Sequence, residues 1–357
     1  MHEVPLALLT RDRPIEQQMW RSFWDRLDEG GLQRGETVAL LASLSTRMPD
    51  QDTLCGFLRS LDERRPRPVG RLDGTVNIVG TGGGPRTFNI STAAAFVAAA
   101  MGVRVAKTGS RAHTSTCGSY DLLDLLGIPL TTSYEQTDAV LDRHGIAFPG
   151  PFVYPRELML LAKSILPLEL RTLGQFINSV GPFLAAMPVS HQLIGVADHS
   201  LLPSLRYVAD STPDRGIWLC SNALGIDELV SSVDNVIHRN DGTGGTWLPA
   251  DAPGSTSITD LRPTSHQDQV VEQFLEVLSG EGGELATRTV CLNAAALAVA
   301  SGLTGEWADA RAAAEDALIS GAALDLVTRL RAQPMPTAAG AAPGTAAGTA
   351  AYGVGAR

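Results

Sequence analysis

The feature that most constrains the fold of this chain is a glycine-rich turn between an apolar segment and an alanine-rich segment. The apolar residues 76–79 predict a β-strand, and the alanine-rich residues 93–101 predict a helix. Four of the five residues at 80–84 between them are glycine. A glycine-rich turn that opens a helix points bare backbone N–H groups at one place, where they bind an anion such as phosphate or pyrophosphate. Such turns are also ordinary strand-to-helix connections in α/β proteins, so the turn alone leaves both interpretations open.

Polar side chains follow the turn at the start of the helix. Asn89, Ser91 and Thr92 bring hydrogen-bond donors and acceptors to the position where an anion would bind. Some of them are also good N-cap residues for the helix. Three such groups beside the glycines are more than a helix cap requires, which favours a phosphate site.

The remainder of the chain separates into regions with different periodicity. Residues 14–65 have helical apolar spacing, with Trp20, Phe23, Trp24 and Leu27 on one face. Strand-like and helix-like segments alternate from about residue 70, which predicts an α/β fold with a mainly parallel central sheet flanked by helices. The last 24 residues, 334–357, are rich in Ala, Gly, Thr and Pro, and this composition predicts a disordered tail.

A second polar segment follows the predicted strand at residues 102–106. Residues 107–121 contain two cations, Lys107 and Arg111, and six Ser or Thr side chains. This combination suits a polyanion and a sugar. It is also compatible with a polar surface loop.

Adjacent carboxylates at Asp227 and Glu228 follow the apolar strand predicted at residues 216–220. Mg²⁺ binds one or two carboxylates together with the phosphates of a substrate, so the pair is a candidate metal site. Acidic pairs are also common in the first turn of a helix.

Taken in order, these motifs resemble those of the anthranilate phosphoribosyltransferases and their relatives. The resemblance rests on G-T-G-G followed by T-F-N-I-S-T, on K-T-G-S-R followed by G-S-Y-D and L-L-G-I, and on G-I-D-E-L. It extends to G-P at residues 181–182, Q-L-I-G-V at 192–196 and three C-terminal stretches near 277–281, 292–297 and 320–324. In total it covers roughly residues 20–332.

The resemblance implies a two-domain fold. Residues 1–69, with helices from about 156–190, would form a small helical domain, and residues 70–155 and 191–333 would form the α/β domain that binds the phosphoribosyl donor. The ligand cleft would lie between them. Relatives of this kind usually form homodimers through the helical domain.

The resemblance also implies that phosphoribosyl pyrophosphate (PRPP) is the donor and that Mg²⁺ is the cofactor. It assigns the following residues to the donor: Gly80, Thr81, Gly82 and Gly83 to pyrophosphate; Asn89, Ser91 and Thr92 to the ribose and phosphates; and Lys107, Ser115 and Ser119 to phosphoryl oxygens. Ser91, Asp227 and Glu228 are the implied metal contacts. Loss of pyrophosphate builds negative charge on the leaving group, which N–H donors, a cation and Mg²⁺ stabilise.

Departures from the family pattern are concentrated on the acceptor side. Thr108 and Ser110 stand where the family has His and Asn, and Tyr154 falls in the segment equivalent to its H-H-P-A-M. Arg171 is a candidate for the arginine that binds the anthranilate carboxylate, although its spacing to Gly181 differs from the family spacing. Gly181, in the G-P pair, is the fifth residue that the resemblance assigns to the acceptor site.

A retained donor site with a changed acceptor site predicts a phosphoribosyltransferase for a small-molecule acceptor other than anthranilate. A neutral or cationic aminocyclitol or aminoglycoside such as neamine, in antibiotic biosynthesis, fits the acidic side chains Glu157 and Glu169. The alternatives are an anthranilate phosphoribosyltransferase of tryptophan biosynthesis, a nucleoside phosphorylase, and a non-catalytic binding relative. The metal motif and the retained donor residues favour a transferase over the last two.

A hydroxyl acceptor would need a base near the donor C1, because its proton has a high pKa. His113 is the first candidate for this catalytic residue, and Glu157 and Glu169 are the others. Each has a second interpretation: His113 as a solvent-facing loop residue, and the two glutamates as ligands for an acceptor ammonium group.

Composition excludes several other classes of protein. A net charge of −10 and an isoelectric point near 5.2 argue against nucleic-acid binding, which needs a basic surface. No apolar segment approaches the roughly 20 residues that span a bilayer, and no signal peptide is recognisable, so we expect a cytoplasmic protein without membrane association. The four cysteines lack C-x-x-C spacing, which argues against structural zinc or a disulfide framework.

Overall fold

A computed structural model describes residues 1–65, 72–111, 117–251, 258–264 and 266–332. The sequence predictions at His113, Ser115, the boundary near residue 69 and the tail at 334–357 lie outside these ranges. No helix within the ranges is long and apolar enough to cross a membrane.

Within the described residues, seven strands form one sheet. The strands are β1 (Leu72–Gly80), β2 (Arg104–Ala106), β3 (Ile146–Ala147), β4 (Val189–Gly195), β5 (Gly216–Asn222), β6 (Asn235–Arg239) and β7 (Gly245–Leu248). Their order is β3-β2-β1-β4-β5-β6-β7; the first five are parallel and the last two antiparallel. The predicted mainly parallel sheet is therefore confirmed.

Helices precede the sheet and connect its strands. The N-terminal helices are α1 (Glu3–Thr10), α2 (Gln17–Asp28), α3 (Arg34–Thr46) and α4 (Gln51–Asp62). The helices between strands are α5 (Ile90–Ala100), α6 (Ser119–Leu126), α7 (Tyr134–His144), α8 (Arg156–Ser164), α9 (Leu170–Leu173), α10 (Gln175–Leu184) and α11 (Leu202–Asp210). The C-terminal helices are α12 (Val270–Leu278), α13 (Glu284–Ser301), α14 (Trp307–Ile319) and α15 (Ala322–Arg331). Residues 189–190, predicted as the end of a helical segment, belong to β4.

Side chains on the two faces of the sheet belong to two separate hydrophobic clusters. Because side chains alternate along a strand, Trp218 and Cys220 of β5 join a cluster with α5, α12 and α13. Ile217 and Leu219 of the same strand face a second cluster, built with α1–α4, α8, α10 and α11. The indole rings of Trp20 and Trp24 stack within the second cluster. The sheet is thus covered by helices on both faces.

The small side chains of α5 explain how it reaches its place in the core. The alanines at 93–95 and 98–99 are all buried, and the helix packs on α13, which is also alanine-rich. Small side chains let two helices and the sheet approach closely. The N-terminus of α5 is held directly behind the glycine-rich turn.

Parallel strands bring the loops that follow them to one edge of the sheet. Gly80 at the end of β1 pairs with Gly195 at the end of β4, and Gly195 pairs with Cys220 of β5. Lys107 follows the last residue of β2. The three motifs of the sequence therefore meet at the carboxyl edge of the strands, where ligands bind in open α/β sheets.

Candidate active site

The glycine-rich turn and the loop at residues 223–228 pack directly against each other. A methyl group on Gly80 would overlap the Asp227 carboxylate, and one on Gly84 would overlap the carbonyl oxygen of Gly225. A methyl group on Gly195 would overlap the Asp227 carbonyl. These glycines are therefore needed because the chain segments approach more closely than a side chain would allow.

Two further glycines of the turn have backbone conformations that favour glycine. Gly82 and Gly83 have φ of 67° and 86°, a region that other residues adopt at a cost. This backbone path aims the N–H of Gly82 at the loop that carries the carboxylates. The turn was predicted to hold an anion, and the structure places a carboxylate at that N–H: Gly82 donates to Asp227 Oδ2 at 2.8 Å.

The loop that carries the carboxylates is held by two buried asparagines. Asn222 Nδ2 donates to the carbonyl oxygens of Ile226 and Glu228 at 2.9 and 2.8 Å. Asn293 of α13 accepts from the Leu229 N–H at 3.1 Å and donates to its carbonyl at 2.7 Å. Asp227 and Glu228 lie in this pinned loop and do not begin a helix, so the helix-start interpretation of the acidic pair is wrong.

The two carboxylates are buried with little compensation. Glu228 is 8 % exposed and accepts a hydrogen bond from the Thr87 hydroxyl at 3.4 Å. Burial, reinforced by the charge of Asp227, raises the pKa of Glu228 well above its usual value. Burial also raises the pKa of Asp227, against the opposing effect of the Gly82 N–H. Such a pair favours the arrival of a cation.

Lys107 is a nearby cation that compensates these charges only in part. Its side chain is buried, and Nζ donates to the carbonyl oxygens of Ile78 at 3.2 Å and Thr108 at 3.4 Å. Burial lowers the pKa of Lys107 to about 8, while Glu228 and Asp227 act in the opposite direction. The ammonium group is therefore bound by backbone carbonyls in the interior, deeper than its predicted role as a phosphoryl ligand suggested.

The donor set fits a magnesium ion that also binds a phosphate-bearing ligand. Among the residues that the structure describes, no group of three or more His, Cys, Asp or Glu side chains could hold a metal ion by itself. Mg²⁺ commonly takes only one or two carboxylates from the protein and completes its shell with phosphates and water. Asp227 and Glu228 would be those two carboxylates.

The predicted donor residues around the start of α5 also lie at the carboxyl edge of the sheet, and they differ in burial and in hydrogen bonding. The Asn89 amide donates to the Cys117 carbonyl at 3.3 Å, although Asn89 makes no side-chain cap bond to the helix. Thr92 is fully buried, and its hydroxyl has no hydrogen-bond partner within the described part of the chain. Ser91 is half-buried between them. The Thr81 hydroxyl accepts from the Ala197 N–H at 3.3 Å, which ties the turn to the segment after β4.

The segment after Lys107 is tied to the start of α6. Ser119 Oγ accepts from the Ser110 N–H at 3.3 Å and occupies the space that a side chain at Gly109 would need. Arg111 forms ion pairs with Asp121 and Asp124 at 3.0 and 2.7 Å. The predicted donor residue Ser119 therefore lies beside the Lys107 loop, with its hydroxyl engaged there.

The acceptor candidates are spread over a wider area. Thr108 is fully buried, and its hydroxyl accepts from Asn77 Nδ2 at 2.9 Å. Tyr154 donates from its hydroxyl to the Gly109 carbonyl at 3.3 Å, close to the Lys107 loop. Gly181 lies within α10, next to Pro182, whose carbonyl accepts from Gln192 at 2.8 Å. Thr108 is thus turned into the fold, and Tyr154 is the candidate that borders the loop.

The two glutamates proposed as bases differ in their surroundings. Glu157 is 1 % exposed and forms ion pairs with Arg64 at 3.6 Å and Arg156 at 3.9 Å. Glu169 and Arg171 are both exposed, at the start of and within α9, which packs on α3. No hydrogen bond or ion pair described in the structure brings these three side chains into contact with the glycine-rich turn.

The family model described as "Glycosyl transferase family, a/b domain" matches residues 72–324 of the chain. Anthranilate phosphoribosyltransferase 2 of Streptomyces coelicolor is 34 % identical over 324 residues, which are 89 % of this chain and 95 % of the relative. The chain belongs to this family. It is therefore a glycosyltransferase of the phosphoribosyltransferase class, as the motifs predicted.

Solved structures of relatives agree with the fold. The crystal structure of anthranilate phosphoribosyltransferase from Thermus thermophilus superposes with a TM-score of 0.76 at 27 % identity, covering 93 % of this chain and 99 % of that one. The Saccharomyces cerevisiae enzyme in complex with PRPP and Mg gives a TM-score of 0.72 at 19 % identity, covering 92 % and 96 %. The second likeness concerns the fold alone.

Sequence reasoning missed the buried amides that position the motifs of this phosphoribosyltransferase. Asn77 donates to Gln192 Oε1 at 3.3 Å and accepts from the Thr108 N–H at 3.0 Å, and Arg215 donates to the same Gln192 oxygen at 2.8 Å. Asn222 and Asn293 act similarly on the acidic loop. The signal in the sequence was an amide within an otherwise apolar strand, as in Val76-Asn77-Ile78, because a buried amide requires partners.

Proposed function

We propose that this chain transfers the 5-phosphoribosyl group of PRPP, in a Mg²⁺-dependent reaction, to a small-molecule acceptor with release of pyrophosphate. The observation that carries the proposal is the meeting of the glycine-rich turn with the buried carboxylate pair. One element offers N–H groups for phosphate oxygens, and the other offers carboxylates for the metal ion that accompanies them. The Saccharomyces cerevisiae enzyme solved with PRPP and Mg has the same fold.

The reaction breaks the bond from the ribose C1 to the pyrophosphate oxygen and forms a bond from C1 to a nucleophilic nitrogen or oxygen of the acceptor. Negative charge develops on the departing pyrophosphate. The turn and the N-terminus of α5, with the Asn89 and Ser91 side chains, are preorganised to stabilise that charge. Asp227 and Glu228 would hold Mg²⁺, which would neutralise the negative charge of the pyrophosphate.

For the acceptor, the comparisons favour anthranilate over the aminocyclitol. The relative from Streptomyces coelicolor aligns over nearly its whole length with this chain and is an anthranilate phosphoribosyltransferase. The surroundings of Glu157 do not favour an aminocyclitol, because its carboxylate lies beside Arg64 and Arg156 and has no described contact with the glycine-rich turn. Glu169 is exposed and has no described contact with the turn.

A different acceptor, such as an aminocyclitol, is the second candidate. It is favoured by Thr108 and Ser110, which replace the family's His and Asn. The buried Thr108 hydroxyl is engaged by Asn77 and cannot replace a ligand-facing imidazole without a rearrangement. A site built without these two polar groups would bind anthranilate less strongly, by about 1 to 3 kcal/mol for each polar group left unpaired.

A direct competition experiment tests both levels of the proposal. The purified enzyme is incubated with PRPP, Mg²⁺ and equimolar anthranilate and neamine, and products are separated by mass. A phosphoribosyl adduct of either acceptor, formed only with Mg²⁺, supports the transferase, and the product ratio selects the acceptor. The double variant Thr108→His/Ser110→Asn is the matched control. It should raise the anthranilate share, and an unchanged ratio would remove these positions from acceptor selection.

The two-domain division, a homodimer and a cytoplasmic location belong to the same proposal. Contacts between α2 and α8, including the ion pair of Asp28 with Arg156, support grouping the helices near 156–184 with the N-terminal helices. Analytical ultracentrifugation of the full chain tests the dimer, and a sedimentation coefficient of a monomer would overturn it.

A further inference from the structure

One N–H group of the glycine-rich turn, which we propose to bind the donor's pyrophosphate, already has an anion of the chain itself as its partner. Gly82 donates to Asp227 Oδ2 at 2.8 Å, a normal distance for a charge-assisted hydrogen bond. The carboxylate also lies directly over the backbone of Gly80, where it fills the space that a side chain would take. A pyrophosphate oxygen that bound the Gly82 N–H would have to enter this same space.

We infer that Asp227 acts as an internal competitor for the pyrophosphate site and so makes the enzyme select metal-complexed over metal-free diphosphate. This inference rests on the proposed function. A diphosphate without a cation meets a carboxylate that holds the N–H and repels it. A diphosphate that arrives with Mg²⁺ brings a ligand for that carboxylate, and the N–H becomes available to the phosphate.

The neighbouring carboxylate provides a control within the same pocket. Glu228 is also a carboxylic acid, is buried in the same loop, and accepts from the Thr87 hydroxyl at 3.4 Å. Within the described residues, the N–H groups at 80–84 make no hydrogen bond to its side chain. Replacing either residue removes one carboxyl group from the loop, but only replacement of Asp227 releases the Gly82 N–H.

The test measures binding of inorganic pyrophosphate by calorimetry in the presence of EDTA, with Asp227→Ala compared against Glu228→Ala. Because a hydrogen bond to a charged group contributes more than a neutral one, we expect Asp227→Ala to bind metal-free pyrophosphate at least about tenfold more tightly than Glu228→Ala. Equal affinities of the two variants would show that charge alone acts and would overturn the inference.

The isosteric pair Asp227→Asn and Glu228→Gln keeps the test decisive if an alanine variant fails to fold. The amide oxygen introduced by Asp227→Asn accepts more weakly than a carboxylate, so a smaller gain in the same direction is expected, and its absence would contradict the inference. Binding of pyrophosphate to the wild-type protein with Mg²⁺ distinguishes failure of this inference from failure of the proposed function. Binding with Mg²⁺ but no gain in the variants at Asp227 defeats only the inference, whereas no binding under any condition defeats the proposed function as well.

Discussion

Two buried glutamates of this chain have opposite surroundings. Glu157, between α8 and the N-terminal helices, has two guanidinium groups within 4 Å. Glu228, at the carboxyl edge of the sheet, has a hydroxyl partner and a second carboxylate beside it. Glu157 thus has cations of the fold beside it, although its Oε2 accepts no hydrogen bond within the described residues. Glu228, which lies beside a second carboxylate and is only partly compensated by Lys107, costs stability until a ligand supplies positive charge.

The largest expected effect comes from removing the uncompensated pair. In Asp227→Asn/Glu228→Gln, Mg²⁺-dependent affinity for PRPP should fall at least about 100-fold, because a hard cation needs anionic oxygen ligands. Calorimetry with and without Mg²⁺ measures it. Glu157→Gln is the matched variant, since it also neutralises a buried glutamate, and it should leave the affinity within about threefold. Equal losses in both would erase the distinction between the two glutamates.

Substitution of Glu157, which should hardly change the affinity for PRPP, should instead lower the stability of the protein. Glu157→Ala removes the most deeply buried of the three carboxylates around Arg64, which keeps Asp25 and Asp28 as partners, and we expect a loss of about 1.5 kcal/mol in the free energy of unfolding. Urea denaturation measures this loss. A change below about 0.5 kcal/mol would indicate that the ion pairs contribute as little as surface pairs do.

The amide network behind the Lys107 loop should show a smaller effect. Thr108→Val removes the hydroxyl that Asn77 contacts while keeping the shape of the side chain, so about 1 kcal/mol of stability should be lost. Asn77 retains its bond to Gln192, which limits the cost. Thr108→Ser is the control that keeps the hydroxyl. A valine variant as stable as the serine variant would contradict this view of the network.

The smallest expected effect is a pH-dependent gain in the free energy of unfolding on Glu228→Gln, measured in the absence of metal. The folded-state pKa of Glu228 lies above its unfolded value, so the folded protein binds more protons than the unfolded chain. The free energy of unfolding of the wild-type protein therefore falls as the pH rises from about 4.5 through that folded-state pKa. The variant lacks this loss. Its stability relative to wild type, measured in EDTA, should therefore increase as the pH rises from about 4.5 through the folded-state pKa of Glu228. A difference that is constant with pH would mean that Glu228 does not titrate in this way.

Sequence patterns predicted the elements that carry the site. The strand before the glycine-rich turn, the helix after it and the acidic pair after β5 all lie where the patterns indicated, with the helix starting at Ile90 and the strand ending at Gly80. These elements are local: apolar periodicity and glycine density act over a few residues. The meeting of their loops also follows, because parallel strands end at one edge.

The partners of individual side chains were not predictable in the same way. Lys107 was expected to face the donor, but its ammonium group reaches back to the carbonyl of Ile78. Glu157 was considered as a base, and its partner Arg64 comes from the distant segment just after α4. No local pattern encodes such contacts, since they depend on how two separately formed elements pack.

The sequence by itself determined the fold class, because strand periodicity and backbone freedom at glycine are properties of short segments. The enzyme class followed from the resemblance of the ordered motifs to a known family. Only the tertiary structure decided which carboxylate holds the Gly82 N–H, which glutamate is neutralised and how deeply the lysine lies. Those outcomes depend on burial and on distances of a few ångströms between residues far apart in sequence, where desolvation and charge pairing set the energy of each group.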